Sequence, residues 1–88
     1  MYLHVGKDKL VRGNDVIGIF DLDTTTISKH TRDYLKKAEE LGKVVNITDE
    51  LPKSFIVCKA KGQTVIYISQ LSSSTLLKRA ELEQFIGT

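Results

Sequence analysis

Two carboxylates, Asp21 and Asp23, stand two residues apart at the end of the apolar run Val16-Ile17-Gly18-Ile19-Phe20. In an extended strand residues i and i+2 share a face, so both carboxylates leave the strand end on the same side. Chemistry by a carboxylate pair requires that spacing. The other side chains capable of chemistry are few: His4, His30 and the lone Cys58. Neither histidine has a neighbouring acid and nucleophile that the sequence holds in place, so both read as surface or structural residues. Cys58 follows Phe55-Ile56-Val57, where a small buried hydrophobe is expected, because reactive thiols need electropositive, partly exposed settings. The usual structural zinc patterns need four Cys or His ligands where only these three exist, and no glycine-rich phosphate loop occurs. Neither a metal nor a cofactor is expected.

The segment Asp21-Leu22-Asp23-Thr24-Thr25, placed after a hydrophobic strand, resembles the first motif of the haloacid-dehalogenase-type phosphatases. The resemblance implies a Mg²⁺-dependent phosphatase-like site, with Asp21 as nucleophile at phosphorus, Asp23 as general acid at the leaving group, and the metal bridging carboxylate and phosphate. That family, however, uses a parallel, doubly wound sheet considerably longer than 88 residues, and it also needs a lysine and a downstream acidic motif. After Tyr67 the only acids are Glu81 and Glu83, inside an expected helix. The preferred reading makes Asp21 and Asp23 solvated strand-end residues, with Thr24 to Thr26 capping the helix that follows. Enzyme activity is not expected.

The elements that must position these residues follow from pattern and punctuation. Tyr2 to Val5 and Leu10 to Arg12 flank the turn-like Gly6-Lys7-Asp8-Lys9 and predict a hairpin. Val16 to Phe20, apolar without alternation, predicts a strand buried on both faces and central in the sheet. A helix is predicted from about Ser28 to Leu41, with Ile27, Thr31, Tyr34, Leu35, Ala38 and Leu41 facing the sheet and Gly42 as its stop. Val44 to Ile47, Ser54 to Ala60 and Thr64 to Ile68 read as strands, the last two joined by a tight turn at Lys61-Gly62-Gln63. Ser72 to Thr75 supply capping hydroxyls for a last helix through about Phe85, with Leu76, Leu77, Ala80, Leu82 and Phe85 as its apolar positions. The expected fold is one small α+β domain over residues 1–88, with a largely antiparallel sheet and two helices in the order strands, helix, strands, helix.

Composition bounds the partners. The chain carries 13 Lys+Arg against 11 Asp+Glu, a net charge of +2, which is too weak to imply nucleic-acid binding unless the cations cluster. Lys29, Arg32 and Lys36 recur about one helical turn apart and form a short basic stripe, with Lys43 beyond. No apolar run is long enough for a membrane span, and the N-terminus lacks the layout of a signal peptide, so a cytoplasmic protein is expected. A domain of this size buries a modest fraction of its surface and one cysteine makes no internal disulfide, so support from a partner surface is expected.

Across nearly the whole chain, Tyr2-Leu3-His4-Val5-Gly6, Val16 to Asp21, Pro52 to Val57, Tyr67-Ile68-Ser69 and Thr75 to Arg79 resemble the RemA/RemB family of small extracellular-matrix regulatory proteins of Gram-positive bacteria, the RemB branch more than the RemA branch. The resemblance implies a DNA-associated, nucleoid-located transcriptional regulator of biofilm-matrix genes, whose RemA branch assembles into closed rings and presents arginines to DNA. Repeating a weak basic patch around a ring multiplies its phosphate contacts. Where the RemA branch has an arginine after Asn in the N-terminal turn, this chain has Asn14-Asp15. Where that branch has an arginine pair in a later loop, this chain has Glu50-Leu51, and only Lys53 keeps a cation there. Two readings follow. In the first, a ring-forming homo-oligomer binds double-stranded DNA with contacts moved to Lys7, Lys9, Arg12, Lys29, Arg32, Lys36 and Lys53. The competing account of these cations is an ordinary solvated surface, with Asp8, Asp33, Glu39 and Glu40 interleaved and paired to them. In the second, an oligomeric interaction module modulates a RemA-like paralogue without gripping DNA.

Overall fold

The computed structural model describes residues 2–22 and 28–86, with side chains described as far as residue 82. Strands β1 (Tyr2–Gly6) and β2 (Lys9–Arg12) pair antiparallel with Leu3 opposite Val11, and the register slips between His4 and Gly6. A single 3₁₀ turn, Gly13–Asp15, leads into β3 (Val16–Asp21). After α1 (Lys29–Glu40) come β4 (Val44–Asn46), β5 (Ser54–Ala60), β6 (Gln63–Ser69) and α2 (Ser73–Ile86). The fold is α+β in the expected order. Its larger sheet runs β3-β5-β6-β4, antiparallel except for the β4–β6 pair, which is parallel. The β5–β6 connection is two residues, Lys61 and Gly62, with φ of +52° and +77°. Positive φ at both central positions is the type I′ geometry whose twist matches the flanking strands, and glycine takes the second position without a Cβ clash.

Strand β5 organises the layers. From Ser54 to Cys58 every residue is buried, and the two-residue side-chain period sends Ile56 and Cys58 to one face and Phe55 and Val57 to the other. On the first face they meet Leu3, Val5 and Val11 of the hairpin and Leu76 of α2. On the second they meet Ala38 of α1 and Ile66 of β6, with Leu35 and Val44 packed alongside. The four-stranded sheet therefore lies between a hairpin-plus-α2 layer and a single helix. Ser69 Oγ donates to Val5 O at 2.6 Å and accepts from Leu71 N at 3.0 Å, and Ser54 Oγ donates to Leu71 O at 2.7 Å. These two fully buried serines thus satisfy backbone groups where the sheet, β1 and the approach to α2 converge.

Helix α2 starts within its expected run of hydroxyls, and α1 starts after Ser28, a further hydroxyl beyond Thr24 to Thr26. Ser28 caps α1, its Oγ accepting from Thr31 N at 3.1 Å, and Ser72 Oγ accepts from Thr75 N at 3.1 Å before α2. Helix α1 ends as Gly42 N returns to Glu39 O and Lys43 N to Ala38 O. No described helix is long and apolar enough to cross a membrane.

Two expectations are corrected. The Val16–Phe20 run is an edge strand and not the central one, with Ile17 62% and Phe20 46% exposed. An unbroken apolar run signals burial on both faces only when partners exist on both sides, and here β5 takes the centre because strands pair along both of its edges. On α1, Leu35 and Ala38 do face the sheet, but Tyr34 and Leu41 remain 48% and 60% exposed along the helix flank. Ile27, the capping residues Thr24 to Thr26 and Asp23 lie outside the described residues, as does the Phe85 side chain.

Candidate nucleic-acid interface

Leu35 and Ala38 bind α1 to the sheet, and a 100° step per residue turns Lys29, Arg32 and Lys36 outward. All three are exposed. Among the described residues the one ion pair within 4 Å joins Lys7 and Asp49, so the interleaved Asp33, Glu39 and Glu40 make no direct contact with the stripe. The stripe is therefore three cations on one helical face, open to an anion.

The remaining candidates sit elsewhere. Lys7 Nζ, in the β1–β2 turn, donates to Asp49 Oδ2 at 2.6 Å, and this hydrogen bond and charge hold the Asp49 carboxyl below its ordinary range. Lys9 Nζ lies 5.2 Å from the Tyr67 ring centroid, a cation–π contact. Arg12 lines a small cleft with Asp15, Gln63 and Tyr67, next to Cys58. Lys53 is anchored by its backbone, N–H to Ser69 O at 2.8 Å and carbonyl to Leu22 N at 2.9 Å, with its side chain exposed at the end of the sheet. The seven cations do not share one face. Lys29, Arg32 and Lys36 belong to the α1 layer, and Lys7, Lys9 and Arg12 to the hairpin layer across the sheet.

The side chains first considered for catalysis have structural partners. Asp21 accepts a short hydrogen bond from Ser73 Oγ at the start of α2, where a carboxylate also suits the helix dipole. His4 Nδ1 faces Arg79 Nη1 at 3.1 Å, and His4 Nε2 contacts the Lys7 carbonyl. Arginine offers no acceptor, so Nδ1 accepts from Arg79 and Nε2–H donates to the Lys7 carbonyl. Arg79 also donates to His4 O at 3.3 Å, tying α2 to β1. Cys58 is buried, as expected, and desolvation together with the Asp15 charge pushes its thiol up to about 11.

Sequence reasoning missed an apolar surface on the Tyr34 flank of α1. Ile17, Phe20, Tyr34, Phe55 and Val57 line a groove between β3 and α1. The Phe20 ring stacks on Phe55 at 5.0 Å between centroids and lies over Gly18, where a Cβ would come within 2.6 Å of it. The available signal was the apolar run Val16 to Phe20, whose only strand charge is the terminal Asp21.

A family model described as RemA-like, extracellular matrix regulatory protein A-like, matches residues 2–80. Extracellular matrix regulatory protein B of Bacillus subtilis (strain 168) is 42% identical over 81 residues, covering 92% of this chain and 91% of the relative. Together the match over almost the whole chain and this level of identity show that the chain belongs to the RemA-like family of extracellular matrix regulatory proteins.

Proposed function

We propose that this chain regulates extracellular-matrix genes from the cytoplasm as a ring-forming homo-oligomer that binds double-stranded DNA through its phosphates. The observation that carries the proposal is the α1 stripe, in which Lys29, Arg32 and Lys36 are exposed and without ion pairs among the described residues. Three phosphate contacts per subunit bind weakly, but copies held in one assembly engage the same duplex with high effective concentration. Each neutralised phosphate releases condensed counterions, so affinity falls steeply with salt. Contacts of this kind carry no sequence information, so promoter choice comes from DNA shape or from a partner protein. Lys53 adds a further exposed cation, whereas Lys7 is already committed to Asp49 and contributes little.

A second reading rests on the loop that follows β4. Asp49, Glu50 and Leu51 are all exposed there, a surface that repels phosphate and suits a protein partner such as a RemA-like paralogue. Titrating a labelled matrix-gene promoter at 50 and 200 mM salt, with solution mass measured in parallel, separates the two. DNA binding that weakens steeply with salt, and weakens on unrelated sequences alike for Lys29→Glu with Arg32→Glu, supports the first reading. An oligomer that binds no DNA at 50 mM salt and high protein concentration rejects it in favour of the second.

A further inference from the structure

We propose that the cleft between β2, the 3₁₀ turn and the outer end of the β5–β6 hairpin binds a free α-amino acid with an apolar side chain. The proposal is independent of the DNA reading, because it uses nothing on α1. Cross-strand pairing sets Cys58 opposite Val65 and Ala60 opposite Gln63, and the two-residue period puts all four on the sheet face that carries the β1–β2 hairpin. The hairpin layer covers Ile56 and Cys58 on that face but leaves Ala60 and Gln63 exposed toward the Lys61-Gly62 turn. At this margin of the layer lies a cleft of about 210 Å³.

Size, floor and charge together specify the ligand. The volume falls below the roughly 300–1,000 Å³ of sites for drug-sized molecules, which favours a ligand of amino-acid size over a nucleotide. Val11 and Cys58, each 6% exposed, form an apolar floor with Val65, where a hydrocarbon side chain is favoured over water. The 3₁₀ turn brings Asp15 back to the side of Arg12, and both line the cleft, yet no ion pair within 4 Å joins them. One anchor of each sign is therefore offered over an apolar floor. An α-amino acid carries the matching ammonium and carboxylate on one carbon, with its side chain beside them. The Arg12 guanidinium suits the carboxylate, which its planar fork can hold by two hydrogen bonds, and Asp15 suits the ammonium. The Asp15 charge helps to push the Cys58 thiol up to about 11, which agrees with a carboxylate facing the floor. Lys9, the other cation nearby, is held 5.2 Å from the Tyr67 ring centroid at the inner end, which leaves Arg12 for the carboxylate. Gln63, also in the lining, both donates and accepts and so serves either group.

The test is calorimetric titration of the full chain with L-leucine, with isocaproate, which lacks the ammonium, and with isoamylamine, which lacks the carboxylate. The expected result is saturable leucine binding, with each analogue weaker by about tenfold or more, the scale of one charge-assisted hydrogen bond. Arg12→Gln is expected to weaken leucine to a similar degree and to leave isoamylamine unchanged. Asp15→Asn is expected to weaken leucine likewise and to leave isocaproate unchanged. An analogue that binds as tightly as leucine overturns the proposal, isocaproate by making the cleft a plain anion site. Leucine binding that both variants leave intact overturns it too, as does the absence of saturable leucine binding up to about 10 mM. Circular dichroism checks that each variant is folded. Should a variant fail to fold, amide NMR shifts of the wild type decide: leucine-induced shifts centred on Asp15, Cys58 and Gln63 support the cleft, and shifts centred elsewhere overturn it.

Discussion

On one face of the four-stranded sheet, Ile56 and Cys58 are sealed under the β1–β2 hairpin and α2, and Ser54 and Ser69 close the backbone groups where those layers meet. On the other, α1 covers Phe55, Val57 and Ile66 from one side only, leaving Ile17, Phe20 and Tyr34 along an open groove, while Lys29, Arg32 and Lys36 point away from the sheet with no ion pair within 4 Å among the described residues. The two faces use the same strands, so the difference lies in what is laid on them. A hairpin and a helix together fill one face. A single helix of twelve residues is too narrow to fill the other. The closed face holds the fold, and the helix on the open face carries the proposed DNA contacts.

By that division, substitutions in the closed face cost stability and substitutions of the α1 cations cost DNA binding. Ile56→Ala, which empties a fully buried site beneath the hairpin, is expected to lower unfolding free energy by about 2–5 kcal/mol, read from urea denaturation. In a domain of this size that is a large share of the total. Ser69→Ala removes the donor to Val5 O and the acceptor for Leu71 N at once, and is expected to cost about 1–3 kcal/mol in the same measurement, because both groups stay buried. Ser28→Ala removes the α1 cap and is expected to cost about 1 kcal/mol in the same urea denaturation. Replacing Lys29, Arg32 and Lys36 together by Gln is expected to move stability by less than about 0.5 kcal/mol, while reducing the salt slope of DNA binding by roughly three. A large stability loss there would break the comparison.

The smallest effect is assigned to the Lys7–Asp49 pair, which is exposed on both sides. Asp49 is held below its ordinary value in the folded chain, so the pair's contribution is present above the usual carboxylate range and is lost as pH falls through it. Lys7→Ala is expected to leave the neutral-pH denaturation midpoint nearly unchanged and to remove only that acid dependence, checked by unfolding curves from neutral pH down to about pH 3.

Much of this was legible in the chain. Ser54-Phe55-Ile56-Val57-Cys58-Lys59-Ala60 and the Lys61-Gly62 turn read directly as the first arm and connection of a hairpin, and Ser28 and Gly42 marked the two ends of α1. Those features depend on backbone preferences within a few residues. The basic stripe was legible for the same reason, since helical spacing alone puts Lys29, Arg32 and Lys36 on one side. The expected burial of Val16 to Phe20 failed because an apolar run records that a strand wants partners, not how many it obtains within one subunit. Arg79 gave no signal at all, since its meeting with His4 joins residues 75 positions apart.

Local composition and spacing therefore determined the elements, their order, the family resemblance and the three cations of α1. Only the tertiary structure decided that β5 is central and β3 an edge, that the hairpin cations lie across the sheet from the helical ones, and that an apolar groove stays open beside α1. The physical reason is that secondary structure follows from energies summed over neighbours in sequence, whereas strand order and the covering of each sheet face depend on contacts between distant segments competing for the same surface.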